Sequence, residues 1–389
     1  MSNSMSENNY FKPLEELVLN FVKDHLEEIM KEEMKNFFDV EHPELKNSKN
    51  GFYERLLDTR YGRIDDLSVP RDREGCFQTA LFDPYQRRER WLGETIIEMY
   101  SKGVSTREIA QFIERMLGDS YSASTISNIT DVVVEDIQKW QKRPLSKRYS
   151  VLYLDGTYLK LRRHDVASEV IYVVVGITEE GYKEIISFQV GGQESSLGWK
   201  EVLADLRDRG VEEVLLGVFD GLTGLDASFK EMFPKADVQR CVTHKVRNTL
   251  HNVRKTDRET LVEDLKKVYR ADTTKEALAY FDDFKGSWQS IYPKVIESWE
   301  DDLNELLTFM KYPKEIQPQI YTTNTIERTM KEIKKRTRSM NSLPSEQAVE
   351  KIIYLVTQNF NERWAKRVIT EFASAREKLS KMFKKRYEA

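Results

Sequence analysis

The chain has 389 residues, enough for roughly two or three domains, and its formal net charge is −4. Its two cysteines are too few for a disulfide framework, and the absence of a long apolar run argues against a membrane span. The first residues lack the basic and apolar regions of a signal peptide, so we expect a cytoplasmic protein without a membrane partner.

The charge is distributed unevenly along the chain. Residues 1–50 hold 6 Lys/Arg against 11 Asp/Glu, whereas residues 321–389 hold 16 Lys/Arg against 8 Asp/Glu. An acidic first segment therefore masks a basic last one. A basic face is typical of a protein that binds a phosphate backbone, but an ordinary solvated helix surface has the same composition.

Residues 1–50 are predicted to form an N-terminal amphipathic helical segment, with the helix over 12–38. That helix would pack within the molecule or contribute to a dimer contact. Its apolar residues recur near helical spacing: Leu14, Leu17, Phe21, Leu26, Ile29, Met30, Met34 and Phe37. Residues 51–86 carry Gly and Pro between short apolar pieces, which predicts a connector of extended strands and turns.

Residues 87–145 are predicted to form a helical DNA-binding region. Its first helix stops at Gly103, its second opens with the capping-box pattern Ser105 to Glu108, and its third begins near Ser122. Two short helices joined by a tight turn are typical of a helix-turn-helix, although a plain three-helix bundle gives the same pattern. In a helix-turn-helix, the recognition helix would present small polar residues to base edges: Ser124, Thr125, Ser127 and Asn128.

Residues 149–389 are predicted to form an α/β domain. Three successive strands form an antiparallel meander, and a helix, a fourth strand, a short helix and a fifth strand follow. This order matches a ribonuclease-H-like sheet. The predicted elements lie at 150–163, 170–178, 185–190, 199–209, 211–220, 228–233 and 238–242. A mainly helical stretch over about 245–320 is interpreted as an insertion, and further helices end the chain.

Asp155 and Asp220 each end an apolar, β-rich run, and Glu327 lies far downstream in a helix-like stretch. A carboxylate at the end of a buried strand is costly unless a metal or a partner neutralises it. Taken singly, each strand-end Asp is also typical of a simple cap. Together the three fit a site for two Mg²⁺ or Mn²⁺ ions, which lie roughly 3.5–4 Å apart in such centres and promote phosphoryl transfer.

The helix that carries Glu327 adds an independent indication. At steps of three and four residues, Glu327, Lys331, Lys334 and Arg338 fall on one face of this helix. Such a basic stripe would hold DNA phosphates against the metal ions, although a solvated helix face would also be basic.

At these residues the chain resembles the Mutator-type insertion-sequence transposases of bacteria, insertion-sequence family two hundred and fifty-six, which are DDE recombinases. The resemblance extends over nearly the whole chain. The matching stretches are Val69–Phe77, Leu154–Arg162, Phe219–Leu222, Arg240–His244, Thr323–Arg328 and Lys335–Arg338.

The resemblance implies that Asp155, Asp220 and Glu327 are the metal-binding catalytic triad. It implies a transposase that binds the terminal inverted repeats of double-stranded DNA, cuts there and transfers the 3′-hydroxyl strand to target DNA. A homodimer is expected because two element ends must be brought together, and the protein would join the bacterial nucleoid when bound to DNA. The alternatives are a nuclease of the same fold without strand transfer and a domesticated DNA-binding regulator.

Three further residues are candidates for shaping the site or contacting DNA. Cys241 and His244 match the Cys-x-x-His signature of the family; a zinc site would need a second pair of suitable spacing. Simple packing is the alternative for both. Trp299, within the insertion, could stack on an unpaired base, as a tryptophan does in some related hairpin-forming transposases, or could lie in the core.

Overall fold

The computed structural model describes residues 12–45, 47–59, 61–82, 90–117, 121–162, 166–192, 194–221, 224–338, 340 and 343–388. The chain divides into two compact units, Met1–Val132 and Val133–Ala389. Within the described ranges, no helix combines the length and apolar character needed to cross a membrane.

The first unit begins with a long helix packed on a β-hairpin. Its elements are α1 (Lys12–Asn36), a π-helical turn (Phe37–Glu41), β1 (Lys49–Thr59), β2 (Gly62–Asp72), α2 (Arg90–Ser101), α3 (Thr106–Leu117) and α4 (Ala123–Thr130). The predicted amphipathic helix is confirmed as α1, and Met30 packs against Leu57, Ile64 and Leu67 of the hairpin. The face of α1 that includes Met30 therefore serves intramolecular packing.

Helices α2, α3 and α4 pack together, as both interpretations of this region require. The predicted capping box is present: the Glu108 carboxylate accepts from the Ser105 amide at 3.0 Å, and Ser105 Oγ accepts from the Glu108 amide at 3.3 Å. Ser122 caps α4 by accepting from the Thr125 amide. The turn at 118–120, which would distinguish a helix-turn-helix, lies outside the described residues.

The second unit contains the sheet and most of the helices. Its elements are α5 (Val134–Lys142), β3 (Arg148–Arg162), β4 (Val166–Thr178), β5 (Lys183–Gly191), α6 (Ser196–Asp208), β6 (Glu213–Phe219), α7 (Leu225–Met232), β7 (Asp237–Arg240), α8 (Val242–His251), α9 (Arg258–Tyr269), α10 (Thr274–Trp288), α11 (Pro293–Leu306), α12 (Gln317–Ile320), α13 (Asn324–Arg338), α14 (Glu346–Trp364) and α15 (Thr370–Tyr387).

The strands form a mixed sheet in the order β5-β4-β3-β6-β7. β3, β4 and β5 are antiparallel neighbours, whereas β6 lies parallel to both β3 and β7. The predicted antiparallel meander and the two later strands are confirmed. β6 is buried along its whole length because helices cover both of its faces, which explains its run of Val, Leu and Phe.

The structure differs from the predicted domain limits mainly in the unit to which helix α5 belongs. Trp140 of α5 is buried and stacks on Phe188 of β5, with ring centroids 5.2 Å apart. This contact assigns α5 to the sheet unit, so the helical region expected over 87–145 divides at Val132. The stretch predicted as a helical insertion is helical in the structure, as α8 to α12.

Candidate active site at the end of the sheet

The central pair of parallel strands brings Asp155 and Asp220 to the same level of the sheet. Tyr153 of β3 pairs with Val218 of β6, and each aspartate lies two residues further along the chain. Both carboxylates are half-buried. The two residues predicted from the sequence to converge therefore do so at the end of β6.

Glu327 reaches this end of the sheet in the first turn of α13. Before α13, the Tyr153 hydroxyl donates to the Gln319 carbonyl at 2.9 Å. After α13, the Leu343 amide donates to the Lys160 carbonyl at 3.0 Å. Because α13 is fastened to β3 beyond both of its ends, the chain returns from the helical insertion to the two aspartates.

His244, in α8, lies between the second aspartate and the glutamate. Its Nδ1 is 3.9 Å from Asp220 Oδ2, and its Nε2 is 3.4 Å from Glu327 Oε1. A hydrogen bond with Cys241, together with the charges of Asp220 and Glu327, raises the pKa of His244 despite its burial. The imidazole therefore carries a positive charge more readily and occupies the position of a cation between two carboxylates.

Cys241 connects the start of α8 to the start of α13. Its Sγ accepts from the His244 amide at 3.5 Å and from the Thr323 amide at 3.4 Å. The Thr323 hydroxyl lies within hydrogen-bond distance of both Cys241 Sγ, at 3.3 Å, and Glu327 Oε1, at 3.2 Å. Burial opposes ionisation of the thiol, but the hydrogen bonds from His244 and Thr323 outweigh it and lower the pKa of Cys241.

The electrostatics of the aspartates show an excess of negative charge. Burial, and then the nearby charge of Asp220, raise the pKa of Asp155 to about 7, while His244 and Lys334 act in the opposite direction. Burial and the charge of Glu327 also raise the pKa of Asp220. Positive charge close to either carboxylate would favour its ionised form.

The donor atoms suit a hard divalent cation, although they are not assembled around one. Asp220 Oδ1 is shielded from solvent and has no hydrogen-bond partner among the described residues. Among the residues that the structure describes, no group of three or more His, Cys, Asp or Glu side chains is arranged to hold a metal ion. Carboxylate oxygens are nevertheless the ligands that hard divalent cations prefer.

The predicted basic stripe lies on α13, where Lys331, Lys334 and Arg338 are exposed. Lys334 is near enough to Asp155 to lower the pKa of that carboxyl. Lys334, the middle residue of the stripe, therefore lies near Asp155.

Trp299 does not fit the base-stacking interpretation. Its side chain is 1% exposed, and its indole N–H donates to Thr249 Oγ1 of α8 at 2.8 Å. A buried, hydrogen-bonded indole offers no face to an incoming base. Trp299 instead packs α11 against α8, the helix that carries His244.

The four residues predicted for base recognition lie on α4, in the first unit. Ser124 and Asn128 are exposed, whereas Thr125 and Ser127 are half-buried. The Thr125 amide is used in the helix cap, and the Ser127 carbonyl accepts from Thr130 Oγ1 at 2.7 Å. Ser124 and Asn128 thus present the more exposed side chains of the four, and Ser124 Oγ lies 2.6 Å from Ser122 Oγ.

Sequence reasoning missed Glu194, which lies between β5 and α6. A side chain at Gly156 would place its Cβ 2.5 Å from Glu194 Oε1, so this carboxylate lies against the residue that follows Asp155. Glu194 ends no apolar run and belongs to none of the motifs recognised in the sequence. The available signal was a glycine inside a strand, which often marks the close approach of another group.

The chain is similar to known transposases along most of its length. The family model described as "Transposase, Mutator family" matches residues 2–367. A transposase for insertion sequence element IS905 of Lactococcus lactis is 40% identical over 337 residues, covering 87% of this chain and 86% of that protein. The transposase for element IS256 in transposon Tn4001 of Staphylococcus aureus is 30% identical, covering 89% of this chain and 90% of its own length.

Proposed function

The chain belongs to the Mutator family of transposases, and we propose that it cuts the ends of an insertion sequence and joins their 3′-hydroxyl groups to target DNA. This proposal rests on one arrangement of residues. Asp155 and Asp220 come together on paired strands, and His244 lies next to both Asp220 and Glu327. Family membership supports a DNA transposase. The triad and the chemistry are our assignment.

We assign the second unit to the ribonuclease-H-like fold. The strand order β5-β4-β3-β6-β7 supports this assignment, as do the antiparallel meander and the parallel β3–β6 pair. In this arrangement, α8 to α12 form an insertion between the last strand and the helix that carries Glu327. The insertion would explain why the third carboxylate lies so far along the chain from the aspartates.

Asp155, Asp220 and Glu327 would hold two divalent cations, Mg²⁺ or Mn²⁺. When bound, such ions activate the attacking water or hydroxyl and stabilise the leaving oxygen. Two observations support this assignment: Asp220 Oδ1 has no hydrogen-bond partner among the described residues, and the charges of His244 and Lys334 do not offset the burial that raises the pKa of Asp155. His244 would favour the ionised form of Asp220, and Cys241 would fix the position of His244 through the α8 cap.

Lys331, Lys334 and Arg338 would hold the DNA backbone next to the carboxylates. Their exposure on α13, and the effect of Lys334 on Asp155, support this role. Contacts with phosphates fix the register of a duplex without reading its sequence. We expect helices α2 to α4 to read the terminal inverted repeats as a helix-turn-helix, through residues on α4: Ser124, Thr125, Ser127 and Asn128.

The protein would act as a homodimer, because two element ends must be joined in one reaction. Its place of action would be the bacterial cytoplasm, on the nucleoid. Each protomer would supply one carboxylate centre and one repeat-reading helical region.

A strand-transfer assay tests the proposed reaction. Oligonucleotide ends that are already nicked and carry free 3′-hydroxyl groups are mixed with a target plasmid, the purified protein and Mg²⁺. We expect the wild-type protein to join ends to plasmid, and Asp155→Asn to bind the ends in a gel-shift assay without joining them. Hydrolysis products alone would reject strand transfer, and an Asp155→Asn variant that still cut and joined DNA would reject the triad.

A further inference from the structure

A second group of basic residues lies where α14 ends. Arg363 is in the last turn of this helix, and Lys366 and Arg367 follow it; all three are exposed. In the part of the chain that the structure describes, none of the three takes part in an ion pair. The same segment contains one acid, Glu362, so cations predominate at the end of α14.

Lys183, at the start of β5, adds a cation to this group. Its ammonium lies over the Trp364 ring, 4.0 Å from the ring centroid, and no carboxylate of the described residues pairs with it. Burial, and then the nearby charge of Arg328, lower the pKa of Lys183 to about 8. A cation that is partly shielded from water and lies near another cation is costly unless an anion approaches it.

A cavity of about 350 Å³ lies beside Lys183. Its lining consists of Thr178, Tyr182, Lys183, Glu184, Asn361 and Ala365. The carboxylate in this lining already has partners, because Glu184 accepts from the Tyr149 hydroxyl at 2.7 Å and pairs with Arg143 at 3.4 Å. The ammonium of Lys183 is therefore left for an anion from outside the protein.

The backbone that presents these cations is fixed to the sheet. The Asn361 side chain accepts from the Ile185 amide at 2.8 Å and donates to the Ile185 carbonyl at 3.0 Å. After α14, the Ile369 amide donates to the Gly181 carbonyl at 3.0 Å. The end of α14 thus has a defined position against β5, between these two contacts.

Arg328 links the end of α14 to the candidate active site. It is exposed and follows Glu327 in the first turn of α13, about 100° around the helix. α13 and α14 are consecutive helices that pack on one another, as antiparallel neighbours do. The charge of Arg328 acts on Lys183, and that of Arg363 acts on Glu332 of α13, which agrees with this arrangement.

We call this set of cations the α14-end surface: Lys183, Arg328, Arg363, Lys366 and Arg367. It starts at the same turn of α13 as the basic stripe, which shares a helix face with Glu327. Because Arg328 lies on a different side of that turn, the α14-end surface and the stripe leave the carboxylates in different directions.

Strand transfer requires two DNA duplexes at one set of carboxylates, an element end and the target. We propose that the α14-end surface binds the phosphate backbone of the target duplex while the stripe on α13 holds the element end. Lysine and arginine contacts with phosphates do not read sequence, which suits DNA from outside the element. This inference rests on the proposed strand transfer and assigns one of its two DNA partners to a surface.

Joining to a target plasmid by the full chain tests this proposal. Nicked element ends are joined to plasmid by the wild type and by a Lys366→Gln, Arg367→Gln double variant, over a range of plasmid and salt concentrations. We expect the plasmid concentration for half-maximal joining to rise by about 10-fold or more in the variant, and its log–log slope against salt to fall by about two units, as two phosphate contacts are lost. Gel-shift binding and cleavage of element ends should equal those of the wild type.

An Arg254→Gln, Lys255→Gln double variant is the matched control. It also removes one arginine and one lysine, both exposed, from the segment between α8 and α9. We expect its plasmid requirement to equal that of the wild type. Equal changes in the two double variants would overturn the proposal, because net charge alone would then explain them.

The outcomes separate this inference from the proposed function. If the wild type cuts ends but joins none to plasmid, strand transfer itself is rejected. If the wild type joins ends and the Lys366→Gln, Arg367→Gln variant has an unchanged plasmid requirement, only the role of the surface is overturned. Weaker binding of element ends by this variant would assign the surface to element DNA and overturn the target assignment.

Two changes at Lys183 test the cation beside the cavity. Lys183→Met keeps an unbranched stem next to Trp364 and removes the charge, so the salt slope of joining should fall by about one unit. Lys183→Arg keeps the charge and should join like the wild type. An equal loss of joining in the two variants would show that the shape of the side chain matters and its charge does not, which would overturn a phosphate contact.

Discussion

Carboxylates gather at both ends of the sheet in the second unit, and their partners differ. Where β3 and β6 begin, Arg148 contacts three acids: Glu213 at 2.6 Å, Glu388 at 2.7 Å and Glu179 at 3.6 Å. In the same region, Asp237 at the start of β7 is paired with Arg386 at 2.7 Å. Each of these acids faces a guanidinium group.

At the opposite end, the charge of Asp220 acts on both Asp155 and Glu194. Among the groups near them, His244 and Lys334 contribute positive charge, and both act against the raised pKa of Asp155. The pKa of each of the three acids is nevertheless raised, primarily by burial. At the first end, arginine side chains neutralise the carboxylates. At the second end, the nearby positive charge neutralises the carboxylates only in part.

This difference separates carboxylates that stabilise the fold from carboxylates that are kept for a reaction. An acid paired with arginine gains a charge-assisted hydrogen bond, and its loss weakens the folded state. An acid next to other acids opposes folding, so its retention indicates a function. Changing one acid at each end should therefore give opposite results for activity and stability.

Asp220→Asn should have the largest effect. We expect end cleavage to fall by about 10³-fold or more, the scale seen when a member of a cooperating catalytic group is removed. The free energy of unfolding without metal should stay the same or rise, because repulsion from Glu327 and Asp155 is relieved. Cleavage of labelled ends and urea unfolding measure the two quantities, and a large loss of stability would show that Asp220 stabilises the fold.

Glu213→Gln is the matching change at the other end of the sheet. Loss of the charge-assisted hydrogen bond from Arg148 should lower the free energy of unfolding by about 1–2 kcal/mol, since Glu213 is buried while Arg148 is partly exposed. Cleavage measured well below the unfolding temperature should equal that of the wild type. A Glu213→Gln variant with normal stability and low activity would show that Glu213 serves the reaction and does not stabilise the fold.

The pH dependence of stability should differ between wild type and Asp155→Asn. The pKa of Asp155 is about 7 in the folded protein and 3.8 is its ordinary value, so the unfolded chain releases this proton first as pH rises. Asp155 therefore opposes folding increasingly from about pH 4 to about pH 7, and the effect levels off above that range.

Asp155→Asn should thus gain stability over the wild type as pH rises through this window. Urea unfolding in EDTA at several pH values measures the difference, and saturating Mg²⁺ should reduce it. A difference that does not change with pH would show that Asp155 is ionised equally in both states.

Lys334→Gln should have the smallest effect. Binding to DNA of any sequence should weaken, and the slope of log K against log salt concentration should fall by about one unit, as one phosphate contact is lost. Fluorescence anisotropy at several salt concentrations measures the slope. Lys385→Gln, an exposed lysine on α15, is the control, and an equal change there would assign the effect to net charge alone.

Local patterns in the sequence predicted much of the secondary structure. The Val/Leu run of β6, the capping box of Ser105 and Glu108 and the apolar spacing of α1 all have counterparts in the structure. These features depend on residues close together in the chain, where periodicity and caps act directly. The limits of the units were less predictable, because Trp140 assigns α5 to the sheet by a contact distant in sequence.

The candidate site shows the same division. Asp155 and Asp220 could be paired from the sequence because each ends an apolar run and their strands are adjacent. His244 stands between two carboxylates only because β7 and α8 follow β6 in space, and Trp299 is buried by the packing of α11 on α8. No sequence pattern indicated Glu194 except Gly156, the glycine that leaves room for its carboxylate.

The α/β character of the second unit, the two strand-end aspartates and the resemblance to Mutator-type transposases could all be recognised from the amino-acid sequence. The return of Glu327 to the sheet and the place of His244 between two carboxylates depend on how distant segments pack. Strands and helices follow from near neighbours in the chain. The charge balance of a site instead depends on groups that packing brings together from distant segments.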